Sequence, residues 1–154
     1  MTPQPKFIPK PGQIDFTHVK EAPVINCIVV HEGKILIVQR NPNMHFHPGK
    51  WNGISGFLDE PSKSIEEKVK EELEEEIGLK EHAIASIKEG IIIREEDHEY
   101  GKTWIVHPIL AEVKTDQVKL DWEAERYQWI EPNAVTSFDL LPGFEQVVKT
   151  FFTI

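Results

Sequence analysis

Apolar residues fall in short runs along this chain, and most of the runs have the length of a strand. Pro23–Val30, PVINCIVV, is nearly continuous in apolar residues and predicts a buried strand. His31-Glu32-Gly33-Lys34 predicts a tight turn, and Lys34–Arg40, KILIVQR, the returning strand. Asn41–Lys50, NPNMHFHPGK, carries two Pro and a Gly and predicts a loop. Trp51–Leu58 returns to strand character, broken by Gly53 and Gly56. Further on, Ile-rich Ala83–Arg94 and Thr103–Val113 predict a hairpin joined by the polar Glu95–Lys102. Asp116–Leu120 predicts a turn with a short strand, and Glu123–Ile130 alternates through Tyr127 and Trp129. Pro132 opens a short helical turn, and Phe144–Phe152 has the spacing of an amphipathic helix. At the other end, residues 1–12 carry Pro3, Pro5, Pro9 and Pro11 and predict an extended arm, with a short strand at Ile14 and Phe16.

Only one stretch in the middle changes period. From Ser64 to Gly78, Ile65, Val69, Leu73 and Ile77 recur every fourth residue and make one apolar stripe. Ser64 and Glu67 have the spacing of a capping box, and Gly78 suits the left-handed position after the last turn. At about 100° per residue, Glu76 lies about 40° from Glu72 on one side and Glu75 about 60° away on the other. Three carboxylates therefore share one shoulder of the helix, where like charges repel by a few tenths of a kcal/mol per pair. A divalent cation turns that cost into a binding site, and hard oxygen ligands suit Mg²⁺ or Mn²⁺. A solvated acidic helix face is the competing explanation.

The length of 154 residues predicts one main domain, residues 21–154, preceded by an arm over residues 1–20. Strands with two helices in this order predict an α/β fold, a mixed sheet covered on both faces. The net charge of −9 argues against nucleic acid or an anionic membrane as partner. It also means that an anionic substrate needs local positive charge or metal. Neither a membrane span nor a signal-peptide pattern is present, so a cytoplasmic protein is expected. The single Cys27 excludes an internal disulfide and predicts a small core residue. The Pro-rich arm is consistent with a homodimer.

The order of these parts resembles the Nudix hydrolase family. That family's signature is Gly, five residues, Glu, seven residues, Arg-Glu, an apolar residue, any, Glu-Glu, any, Gly, apolar. Glu72-Leu73-Glu74-Glu75-Glu76-Ile77-Gly78-Leu79 is similar to its second half in every fixed position, and Gly56 to its leading glycine. The strand KILIVQR, the PGKW that ends at Trp51, and Glu123–Ile130 extend the likeness. The spacing after Gly56 is one residue longer than the pattern, around Asp59 to Ser62; with that insertion placed, two positions depart, Lys63 standing where the family has its first Glu and Glu71 where it has Arg. The resemblance implies an α/β/α sandwich and metal-dependent cleavage of a diphosphate linkage in a nucleoside diphosphate joined to another group. It implies Mg²⁺ or Mn²⁺ held by Glu72, Glu75 and Glu76, with the Gly56 carbonyl completing the shell. Glu75, Glu123 or Glu125 is then the general base, and Arg40 a phosphate ligand. Trp51 is a candidate for contact with a base. The departures raise the alternative of a nucleotide-binding module without catalysis.

Overall fold

The computed structural model describes residues 10–16 and 18–154. Two long strands form its centre: β1 (Glu21–His31) and β7 (Lys102–Val113) pair in parallel over ten residues, from Glu21 opposite Thr103 to Val30 opposite Glu112. β2 (Lys34–Arg40) returns antiparallel to β1 but stays beside it only near the turn, at Val30–Ile35 and His31–Lys34. Beyond that point β3 (Trp51–Asn52) joins β2, and β4 (Ile54–Phe57) joins β1. The segment from Trp51 to Phe57 therefore opens the hairpin like a wedge, and buried Asn26 donates to Asn52 at 2.9 Å across it. β8 (Ala124–Ile130) covers the outer edge of β2.

The single strand expected over Ala83–Arg94 is two strands, β5 (Ile84–Glu89) and β6 (Ile93–Asp97), both antiparallel to β7. Glu89 pairs with Ile109 and Ile93 with Val106, so residues 90–92 face only 107 and 108. Gly90 donates to the carbonyl of Pro108 at 2.8 Å, and Pro108 has no N–H to return. One residue bulges out as a result. The polar connection shortens accordingly, because β6 runs to Asp97. No strand forms at Asp116–Leu120 or, among the described residues, at Ile14–Phe16. The expected arm over residues 1–12 lies mostly outside the described residues.

α1 (Ile65–Ile77) covers one sheet face and α2 (Phe144–Phe151) the other, as the order of elements predicts. Val69, Leu73 and Ile77 of α1 pack on Ile25, Cys27 and Ile109; Phe144, Val147 and Val148 of α2 pack on Ile28, Ile35 and Ile37. Neighbouring strand residues thus feed two separate cores, as their alternating directions require. Each fully buried Leu or Ile contributes roughly 2 kcal/mol. Burial pushes the Cys27 thiol up to about 12, in keeping with a core residue. Among the described residues, no helix is long and apolar enough to cross a membrane.

Candidate active site

The rotation of α1 is set at its two ends. Ser64 Oγ accepts from the Glu67 N–H at 3.1 Å, and the Ser64 N–H donates to Glu67 Oε1 at 3.2 Å. Gly78 takes a left-handed φ of 68°, and its N–H donates to the Glu74 carbonyl at 3.1 Å. With Leu73 turned fully into the core, Glu72 is carried to the buried margin and is only 9% exposed. Opposite it lies Gly56 on β4, where a Cβ would stand 2.6 Å from Glu72 Cδ and 2.7 Å from Oε1. Only glycine leaves room for the carboxylate to lie against the strand.

Lys68, one turn before Glu72, is 4% exposed and holds this carboxylate. Its Nζ lies 3.2 Å from Glu72 Oε1 and 3.2 Å from Asp59 Oδ1, with Glu71 at 3.7 Å and Glu60 at 3.9 Å. Burial disfavours its charge, but Glu72 and Asp59 outweigh burial and hold the ammonium above its ordinary range. The two departures from the family pattern are each other's partners, since Lys63 Nζ donates to Glu71 Oε2. An ion pair of inverted sense therefore joins the two positions.

The acids divide into two groups that share Glu72. On the outer side Glu71, Glu72 and Glu75 each offer an oxygen within 4.8 Å of the others. On the inner side Glu76 lies against Glu72 and Glu123, and its Oε2 is buried without a hydrogen-bond partner. Burial and these two neighbours raise Glu76 well above the ordinary carboxyl value. Burial pushes Glu72 up to about 7 even against Lys68. Asp121 rises to about 6 through burial and the nearby Glu123 and Glu75. Carboxyl groups shifted upward together lack sufficient positive charge around them, and an orphaned buried oxygen lacks a partner. Both deficits fit a hard divalent cation bound among Glu72, Glu75 and Glu76, with Glu71 at the edge.

The remaining sequence-predicted residues separate. Arg40 ends β2 opposite Ala124, and its Nε donates to the Phe46 carbonyl at 2.9 Å. Burial lowers the guanidinium pKa, while the charges of Glu76 and Glu123 oppose that shift. Glu123 is pinned in its turn: its N–H donates to Asp121 Oδ1 at 3.0 Å, and its carbonyl accepts from the Asn41 N–H at 2.7 Å. Glu125, by contrast, is exposed on β8. Trp51 belongs to the core beneath α2, its ring 5.3 Å from that of Phe138, on the sheet face away from α1.

Sequence reading did not find Asp59, Asp121 or the partner of His47. The i to i+2 bond of Asp121 is an Asx turn, whose Asp-x-Glu spacing was a usable signal. The two histidines of the 41–50 loop part company: His45 is exposed, while His47 is buried with its Nε2 2.5 Å from Asp97 Oδ2. Burial would raise Asp97, but the Trp104 indole and His47 outweigh it and hold the carboxyl below its ordinary value.

Residues 20–151 match the NUDIX domain family. The chain belongs to that family. A 75-residue stretch is 35% identical to the NAD-capped RNA hydrolase NudC of Chromobacterium violaceum, covering 49% of this chain and 26% of that relative. The chain thus spans about a quarter of the length of that longer NUDIX protein. The nucleoside triphosphatase NudI of Escherichia coli is 24% identical over 128 residues, covering 79% of this chain and 90% of the relative. Among solved structures, a MutT NUDIX hydrolase from Burkholderia pseudomallei superposes with a TM-score of 0.71 at 18% identity, over 86% of this chain and 99% of that one. The last likeness speaks for the fold.

Proposed function

We propose that this NUDIX domain is a divalent-metal-dependent hydrolase that cleaves a diphosphate linkage in a nucleoside diphosphate joined to another moiety. Nucleotide sugars, ADP-ribose and nucleoside triphosphates are the substrate classes. The observation that carries this reading is the clustering of carboxylates around Glu72, with Glu71 and Glu75 on its outer side and Glu76, one of whose oxygens is buried and unpaired, on its inner side. Glu72, Glu75 and Glu76 would hold Mg²⁺ or Mn²⁺, and the Gly56 carbonyl would complete the shell. When bound, the metal polarises phosphate oxygens and lowers the pKa of a coordinated water. Lys68 orients Glu72 through its 3.2 Å contact. Arg40 binds a phosphate by its fork. Glu75 or the loop-borne Glu123 accepts the proton of the attacking water, and the pinned backbone of Glu123 favours that residue. Glu125, exposed on the next strand, serves this role less well.

Lys63 and Glu71 motivated a binding module without catalysis. Their mutual ion pair supports the catalytic reading instead, because it supplies the charge balance that each departure alone would remove. The test is release of phosphate-bearing products from a panel of nucleoside diphosphate compounds with Mg²⁺ or Mn²⁺. Turnover is expected in the wild type and lost in Glu75→Gln and Glu76→Gln. Absence of turnover for every compound, with nucleotide binding retained, would establish the binding module.

A further inference from the structure

We propose that the buried His47–Asp97 pair is a positioning device of the active site: it clamps the 41–50 loop onto the turn between β6 and β7 and so holds Arg40 ready for the substrate's phosphate. This rests on the hydrolase reading above.

The clamp begins with a backbone that resists its own conformation. His47 has a φ of 47°, in the left-handed region that a residue with a Cβ rarely enters unless its surroundings impose it. Those surroundings are explicit. The ring Nε2 lies 2.5 Å from Asp97 Oδ2, and the ring Nδ1 lies 3.6 Å from the largely exposed carboxylate of Glu99. The His47 N–H donates to Tyr100 Oη at 3.0 Å. Asp97 is fixed in turn, accepting from Trp104 Nε1 at 2.9 Å and from the Tyr100 N–H at 3.3 Å. His47 and Asp97 are 6% and 7% exposed, so this network is a closed anchor.

The peptide before His47 carries the connection onward. Phe46 presents its carbonyl to Arg40 Nε at 2.9 Å. The same loop holds the Arg40 backbone on both sides, through Arg40 N–H to Lys50 O at 2.9 Å and Gly49 N–H to Arg40 O at 3.1 Å. Among the described residues no carboxylate lies within ion-pair distance of the guanidinium. With Nε committed to the loop, the outer edge of the fork remains for a phosphate. The Phe46 ring packs edge-on against Tyr100 at 5.1 Å and Trp104 at 5.0 Å, two residues that the clamp itself engages, so the His47–Asp97 pair and this aromatic contact together hold the Phe46 carbonyl in place.

The experiment uses the full chain with His47→Gly and Asp97→Asn. Glycine adopts the left-handed backbone freely, so His47→Gly removes the ring while preserving the turn. For the panel compound that the wild type hydrolyses fastest, KM should rise about tenfold or more and kcat change less than about threefold. Mn²⁺ affinity should stay the same. In an Arg40→Lys background, His47→Gly should raise KM no further, since its effect passes through Arg40. Independently of activity, solvent exchange of the Arg40 Nε–H followed by NMR should quicken in both variants. A wild type inert toward the whole panel defeats the hydrolase reading alone, and the exchange measurement then judges the clamp. Unchanged Arg40 Nε–H exchange overturns the proposal, as does an effect of His47→Gly on KM that persists in full without the arginine.

Discussion

Gly56→Ala probes the closest approach in the site. The new Cβ would meet Glu72 Cδ at 2.6 Å, Oε1 at 2.7 Å and Cγ at 3.0 Å, all well inside van der Waals contact. β4 is paired to β1 at this residue, opposite Ile25, so the carboxylate moves in preference to the strand. Glu72 can retreat only by leaving its favoured rotamer, at about 1 kcal/mol, and by loosening the 3.2 Å contact with Lys68, worth about 1.5–3 kcal/mol for a charged hydrogen bond. Replacing a strand glycine returns about 0.5–1 kcal/mol. The net loss of stability is then about 2–3 kcal/mol, while a ligand displaced by about 1 Å costs roughly a hundredfold in turnover. Urea unfolding, calorimetric Mn²⁺ titration and a product-release assay on the same preparation measure these quantities. Wild-type turnover and Mn²⁺ affinity in the variant would mean that Glu72 is free to move without consequence and is not a ligand held in place by Gly56.

Lys68→Met leaves Asp59 and Glu72 buried without their cation, so the metal-free protein should lose about 3–5 kcal/mol in urea unfolding and Mn²⁺ should restore part of it. A loss below about 1 kcal/mol would show that Lys68 is not what balances them. The metal-free protein should also become less stable as pH rises. Glu72, moved from 4.5 to about 7, binds its proton more tightly folded than unfolded, and Asp121, moved from 3.8 to about 6, does the same. The loss accrues between those pairs of values, on the order of 3 kcal/mol for Glu72. Thermal melts in excess EDTA should therefore show a higher midpoint at pH 5 than at pH 8; the opposite slope contradicts the shifts. Reversing either end of the part-buried Lys63–Glu71 pair, by Lys63→Glu or Glu71→Lys, should cost up to about 1 kcal/mol and lower turnover, and the double reversal should recover part of both, because it leaves Glu60 and Lys68 facing like charges. Additive losses in the double variant would show that the two residues do not act as a pair.

Elements with a strong internal period were legible in the chain. α1 declared its ends through Ser64, Glu67 and Gly78 and its buried face through Val69, Leu73 and Ile77, because caps and stripes are local. The same geometry set Glu72, Glu75 and Glu76 side by side, but it did not show that Glu71 joins Glu72 and Glu75 on the outer side or that Glu76 turns inward toward Glu123. What the sequence concealed depends on partners distant in the chain. Pro108 breaks the strand over residues 84–97, yet its missing N–H matters only once β7 is known to lie beside Gly90. Trp51 sits in a strand next to the site, but side chains alternate across a sheet, and its register sends the ring under α2. Lys63 and Glu71 looked like two separate departures, although eight residues of loop and helix bring them together. His47 finds Asp97 fifty residues away.

Whether the shoulder of α1 holds a divalent cation is decided by calorimetric titration of Mn²⁺ near pH 6 in two buffers of different ionisation enthalpy. Metal must displace the proton of Glu72, whose carboxyl burial pushes up to about 7, so a cation held there predicts saturable binding with a buffer-dependent heat from proton release. It also predicts weakened binding in Glu72→Gln and Glu76→Gln. No saturable heat in the wild type, or equal affinity in both variants, would contradict such a site.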